Sequence, residues 1–122
     1  MRTVAIESPY AGDVEENVAY LKACIMDCLG FGESPYASHL FFTQPDLLDD
    51  LDPDQRELGI KAGFSWSAMA DVRAFYVDRG ISGGMREGWT EARRRGQATE
   101  FRSLERHLTT EERMSFRVGM YP

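Results

Sequence analysis

"DVRAFYVDRGISGGMREGWTEARRRG", residues 71–96, reads as a strand, a glycine turn and a helix in succession. Asp71 to Val77 is rich in β-branched and aromatic residues and is short enough for a buried strand. Gly80 to Gly84 form a loop, because glycine adopts turn conformations at no steric cost. Met85 to Arg95 carry a helical pattern, and Gly96 supplies the usual left-handed helix end. Arg93, Arg94 and Arg95 sit where the helix dipole favours cations, which accounts for the run more simply than a nucleic-acid patch does.

Working outward, the same unit recurs. Thr3 to Ser8 is a short apolar, β-branched run followed by the turn-rich "SPYAGD". Asp13 with Glu16 has capping-box spacing, and Val14, Val18, Leu21, Ile25 and Leu29 recur as one buried helix face. "GFGES" ends that helix. Pro35 to Phe42 read as a second strand. After an Asp- and Pro-rich loop, Asp52, Pro53 and Gln55 mark a helix start, and Leu58, Ala62, Trp66 and Met69 give that helix an apolar side. "QATEF", ending at Phe101, is a weaker fourth strand. Thr109 and Glu112 suggest a terminal helix over about 109–117.

Strands alternating with helices imply right-handed crossovers and a parallel sheet covered on both faces. The expectation is α/β: a doubly wound parallel sheet of four to five strands in a single domain spanning 1–122, its core over about 3–104. In such folds ligands bind beyond the carboxyl ends of the strands, where strand order reverses. The loops in that position are "SPYAGD", "SHLFFTQ" and "DRGISGG".

The bulk properties restrict the partner. The chain has 122 residues, 43% hydrophobic and 28% charged, with a net charge of −6. An acidic chain repels polyanions, which argues against a nucleic-acid polymer as the ligand but not against one small anion at a helix N-terminus. Cys24 and Cys28 lie four apart on a helix, a poor disulfide geometry, and no further Cys or His cluster completes a metal site. No apolar run approaches the roughly 20 residues of a membrane span. The opening "MRTVAIES" lacks a signal-peptide pattern. These features lead to the expectation of a reduced, cytoplasmic protein with no membrane partner.

Candidate chemistry falls in the three loops. The first holds Ser8, Pro9, Tyr10, Gly12 and Asp13; the second holds His39; the third holds Asp78, Ser82, Gly83, Gly84 and Met85, with Glu87 one turn on. Free N–H groups from Gly83 to Arg86 would face a ligand, helped by the helix dipole. Ser82 can both cap the helix and donate to a phosphate oxygen; the same residues also make an ordinary turn. Glu87 is either a carboxylate favourably placed on the dipole or a nucleophile beside a sugar phosphate. Glu91 is a second carboxylate on that face, expected to face solvent. His39 is either a structural histidine or an acid–base group. Asp13 is first of all a helix cap, and Tyr10 is able to stack on a base or hydrogen-bond a ligand.

"IESPYAGDVEENVAY", "ASHLFFTQ…LDDLDPDQRELGIKAG" and "ADVRAFYVDRGISGGMREG", in that order, resemble a group of small bacterial and phage proteins that looks like a branch of the nucleoside 2-deoxyribosyltransferase-like superfamily. The resemblance runs from about Val4 to Leu104. It implies a flavodoxin-like fold, a homodimer or larger oligomer, and cleavage of the N-glycosidic bond of a nucleoside or nucleoside monophosphate without metal or organic cofactor. It implies a glutamate nucleophile early in the helix after the third strand, with the deoxyribosyl group passed to another base or to water. The motif serine and glycine map to Ser82 and Gly84, and Asp78, Asp13 or His39 would contact the sugar or act in acid–base catalysis. The superfamily's glutamate falls six residues after the motif serine, a position held here by Gly88, with Glu87 one residue earlier. One residue is about 100° of helix rotation. The superfamily's nucleotide-specific members tend to carry an arginine near the position of Tyr10 to Gly12, and this chain has none there. The same pocket also suits a module that binds a nucleotide or nucleotide-sugar without cleaving it.

Overall fold

The computed structural model describes residues 1–120. The elements are β1 (Thr3–Glu7), α1 (Val14–Gly30), β2 (Ser34–Tyr36), α2 (Ser38–Phe41), α3 (Pro53–Ser67), β3 (Val72–Tyr76), α4 (Gly83–Arg95), β4 (Thr99–Arg102) and α5 (Thr110–Met120). The four strands form one all-parallel sheet in the order β2-β1-β3-β4. Strand order therefore reverses between β1 and β3, which lie side by side at the centre with Ile6 opposite Ala74 and Glu7 opposite Phe75.

Alternation along the strands sorts side chains to two cores. Val4 and Ile6 of β1, with Val72, Ala74 and Tyr76 of β3, face α1 and pack on Tyr20, Leu21, Cys24 and Cys28. Phe75 and Val77 face the other way, onto Met85 and Trp89 of α4, with Phe101, Leu108 and Met120. Arg73 and Glu7 share that second face by the same alternation. The sequence-level reading of the α/β class, the parallel sheet and its strand number holds.

Several local expectations change. The second strand does not run to Phe42. It stops at Tyr36, opposite Ala5 on the sheet edge, and "SHLF" coils into α2, with the Phe42 N–H bonded to Ser38 O at 3.0 Å. A short apolar run is ambiguous between strand and helix, and here tertiary packing decides. The α1 stripe is rotated: Tyr20, Leu21, Cys24 and Cys28 are the buried positions, while Val14 and Leu29 are exposed. The face proposed for α3 is also wrong, since Leu58, Trp66 and Met69 are exposed and Gly63 and Ser67 are buried. The reason is close approach: a Cβ at Gly63 would lie 2.5 Å from Ser38 Oγ, so only glycine lets α2 sit against α3. Asp13, Asp52, Ser82 and Thr109 cap their helices as expected, and Gly96 ends α4 with φ 66°. Glu16 and Gln55 do not complete their capping boxes: Glu16 pairs with Arg79 at 2.7 Å, and Gln55 accepts from the Asp49 N–H at 2.8 Å.

Candidate functional site

The carboxyl ends of β1 and β3 open onto a cleft with a volume of about 190 Å³. β1 and its exit contribute Glu7, Ser8 and Tyr10; α2 contributes Ser38, His39 and Phe42; α3 contributes Arg56, Gly59, Ile60 and Phe64. The start of α4 closes the cleft with Ser82, Gly83, Gly84 and Glu87. Residues from all three predicted loops thus meet at the point where strand order reverses, as expected for a doubly wound sheet.

Each part has a local cause. Ser82 caps α4: its hydroxyl oxygen accepts from the Met85 N–H at 3.2 Å, while its own N–H points to Met85 Sδ at 3.5 Å. The hydroxyl proton remains available to a ligand. The first backbone hydrogen bond of α4 runs from the Arg86 N–H to Ser82 O at 3.1 Å, so the Gly83 and Gly84 N–H groups precede the helical ladder. Together they form a polar, electropositive wall suited to an anionic or hydroxyl-bearing ligand.

On the opposite wall, Ser8 Oγ and His39 Nε2 are 2.9 Å apart. Burial of His39 lowers its pKa from 6.5 to about 4, so the ring is neutral at neutral pH. The Tyr10 ring stands edge-on to the imidazole, with centroids 6.3 Å apart. α4 begins at Gly83, two residues before the expected Met85, so Glu87 faces the cleft from an exposed position on its second turn.

Residues that pattern reading missed form the floor. The Glu7 side chain is 14% exposed, and its Oε1 lies 3.7 Å from Arg73 Nε. Burial raises its pKa from 4.5 to about 7, against the opposing pull of Arg73. Arg73 itself is fully buried on β3, donates to Gly88 O at 2.8 Å and stacks over the Phe64 ring at 5.0 Å. A Cβ at Gly88 would lie 2.6 Å from Glu7 Oε1 and 2.9 Å from Oε2. Glycine at that position is what lets the carboxylate lie beneath α4. The available signal was an acidic residue ending β1 and a basic one inside β3, two charges in strands otherwise apolar enough to be central.

Other candidates lie elsewhere. The Asp78 carboxylate is not in the cleft wall; it accepts from Tyr20 OH at 2.6 Å, from the Leu104 N–H at 3.0 Å and from the Ser103 hydroxyl, tying the ends of β3 and β4 to α1. Asp13 is an exposed helix cap, and Gly12 takes φ 98° in the turn before it. Met85 is in the second core. Pro9 also lies outside the cleft lining, though next to Ser8 and Tyr10. Glu91, expected to face solvent, is buried and pairs with Arg94 at 3.7 Å and with Arg95. Cys24 and Cys28 are both free and buried. Among the described residues no group of three or more His, Cys, Asp or Glu side chains is arranged to hold a metal ion, and no helix is long and apolar enough to cross a membrane.

Strand order and all-parallel pairing define a flavodoxin-like doubly wound sheet, and comparison with solved structures shows that its fold is that of 2-deoxyribosyltransferases. The chain is similar to a 2-deoxyribosyltransferase from the psychrotolerant bacterium Bacillus psychrosaccharolyticus, with a TM-score of 0.65 over 89% of this chain and 77% of that one at 12% identity. It is similar also to a 2-desoxiribosyltransferase from Leishmania mexicana, with a TM-score of 0.55 over 84% of this chain and 65% of that one at 15% identity. The chain belongs to the DUF7768 family, described as a domain of unknown function, whose model matches residues 2–102. No curated protein sequence matches it. At these identities the structural likeness establishes the fold.

Proposed function

We propose that the protein cleaves the N-glycosidic bond of a nucleoside or nucleoside monophosphate, as a hydrolase or a deoxyribosyltransferase, with Glu87 as nucleophile. The observation that carries this reading is the convergence of Glu87, Ser82, Tyr10 and the Ser8–His39 pair on one cleft. The Ser82 hydroxyl and the Gly83 and Gly84 N–H groups would hold the 5′ hydroxyl or phosphate. Tyr10 and Phe42 would flank the base. A Glu87 carboxylate oxygen would attack the anomeric carbon while the bond to the base nitrogen breaks, and water or a second base would then displace the ester and return the electron pair to Glu87. Positioning and the helix end supply the proximity and electrostatic help such a step needs. A homo-oligomeric state and a cytoplasmic location belong to the same proposal.

The test is chromatography of a panel of deoxynucleosides and deoxynucleoside monophosphates incubated with pure protein. Free base released by the native protein and absent with Glu87→Gln supports the reading and its nucleophile. Release that survives in Glu87→Gln keeps the reaction and removes Glu87 from its role. The exposure of Glu87 and the glycine at position 88 favour a second reading, a module that binds a nucleotide or nucleotide-sugar without cleaving it. Saturable binding with no release would establish that one.

A further inference from the structure

We propose that Glu7 is the acid–base residue of the cleft, giving a proton to the departing base and taking one back from the group that displaces the sugar. This inference rests on the glycosidase reading above and adds a residue that pattern analysis did not select.

Three observations carry it. The first is placement. Glu7 ends β1 on the sheet face that packs against α4, lines the cleft, and lies beneath Gly88, the residue next to Glu87. The two carboxylates therefore reach the cleft from adjoining walls, one from the sheet and one from the helix.

The second is hydrogen bonding. Where this protein uses a carboxylate structurally it saturates it: Glu33 accepts from Arg102 at 2.7 and 2.8 Å on its two oxygens, and Asp78 accepts from three groups. Among the described residues Glu7 has no hydrogen-bond partner. Its nearest cation, Arg73 Nε, is beyond hydrogen-bond distance at 3.7 Å. Arg73 Nε and Nη2 are themselves without hydrogen-bond partners. A buried polar pair left unsaturated at the floor of a cleft calls for a role, and a ligand-facing one fits.

The third is the groups around it. Arg73 from β3 is the one charge that acts on Glu7 to any extent, and burial outweighs it. The other ionisable groups lining the cleft are His39 on α2, Arg56 on α3, Asp50 before α3, Tyr10 after β1 and Glu87 on α4. The environment of Glu7 holds a proton near neutral pH, which is where a catalytic acid is most effective.

The proton balance closes. In the first step Glu87 forms a C–O bond to the anomeric carbon, the C–N bond breaks, and the base nitrogen takes that electron pair together with the Glu7 proton. In the second step the Glu7 carboxylate takes a proton from water as its oxygen attacks the anomeric carbon. The bond from the anomeric carbon to Glu87 breaks as the new C–O bond forms, and Glu87 leaves as carboxylate. Glu7 ends protonated, as it began.

The experiment measures kcat and KM for base release from pH 5 to 9, using the best substrate of the panel, with native protein, Glu7→Gln and Gly88→Ala. A nitrophenyl 2-deoxyriboside serves as a second substrate, because nitrophenolate leaves without protonation. Glu7→Gln is expected to lower kcat for the natural substrate by about 10²- to 10⁴-fold with KM within a few-fold, and to remove the limb of the pH profile near 7. Nitrophenolate release in the first step should persist. Gly88→Ala keeps the acid but displaces it, and should show the same split if Glu7→Gln fails to fold. Native release together with an unchanged kcat and pH profile in both variants overturns the role of Glu7 alone. An equal loss in the first-turnover burst of both substrates reduces Glu7 to a structural residue. No release by the native protein from any member of the panel overturns this inference together with the reading on which it rests.

Discussion

Replacing Glu7 by glutamine should change how stability depends on pH, by an amount that follows from the burial of its carboxyl. In the folded chain the Glu7 pKa is raised from 4.5 to about 7 by desolvation, with Arg73 opposing. The unfolded chain releases this proton above about pH 4.5, whereas the folded chain keeps it until about pH 7. Between those values the folded state binds more protons than the unfolded one, so the contribution to stability falls as pH rises. The full effect is about 3 kcal/mol, most of which falls between pH 5 and pH 8. With the side chain 14% exposed, solvent screening removes little of this. Glutamine keeps the shape and has no proton to lose. In the variant the buried Arg73 guanidinium faces a neutral amide at every pH, as it faces a neutral carboxyl in the native protein below about pH 7, so the variant carries no titration at this position. The difference between native and variant protein across pH therefore isolates the titration. Urea denaturation followed by the fluorescence of Trp89, which is buried in the second core, measures it at pH 5, 6, 7 and 8. The native protein should lose about 2 to 3 kcal/mol relative to Glu7→Gln over that span. A difference that stays flat between pH 5 and pH 8 would refute the assignment of Glu7 as a carboxyl protonated near neutrality.

Further outcomes are expected from the same structure. Burial lowers the His39 pKa from 6.5 to about 4, so the native protein should lose about 3 kcal/mol relative to His39→Gln as pH falls from above 6.5 to below 4, because only the unfolded chain gains the proton over that range; equal acid sensitivity of the two proteins in denaturant titrations would contradict this. Asp78→Ala strips the acceptor from Tyr20, Ser103 and the Leu104 N–H and should lower stability by about 3 kcal/mol or more, read as a shifted urea midpoint. Burial pushes the Cys24 thiol up to about 12 and raises that of Cys28 as well, so neither should react with iodoacetamide at pH 8 until denaturant is added, as mass spectrometry would detect.

Much of the frame was legible because its signals are local. Asp52–Pro53, Ser82 and the Thr109–Glu112 pair mark helix starts through side chains that bond within three residues, and Gly96 marks an end through its own φ. The buried faces were less legible. Apolar spacing on α3 selected Leu58, Trp66 and Met69, while the packed face is made of Gly63 and Ser67, because backbone approach to α2 rather than side-chain volume decides that contact. The second strand failed for a related reason. The edge strand pairs with β1 only over Ser34–Tyr36, and the chain then coils into α2, which sets His39 beside Ser8.

The sequence by itself determined the class of the protein: alternating short strands and capped helices, a parallel sheet, and polar loops gathered at its carboxyl edge. These follow from propensity, capping and crossover handedness, which act over a few residues or as general rules of topology. The tertiary structure alone decided the floor of the cleft. Strand register puts Glu7 opposite Phe75 and on the face of Arg73. The rotation of α4 turns Gly88, rather than a side chain, toward that carboxylate. The distance of 3.7 Å between Glu7 and Arg73 joins residues far apart in the chain. Such a contact leaves no periodic trace, because it depends on how strands and helix are placed against one another rather than on what either would do alone.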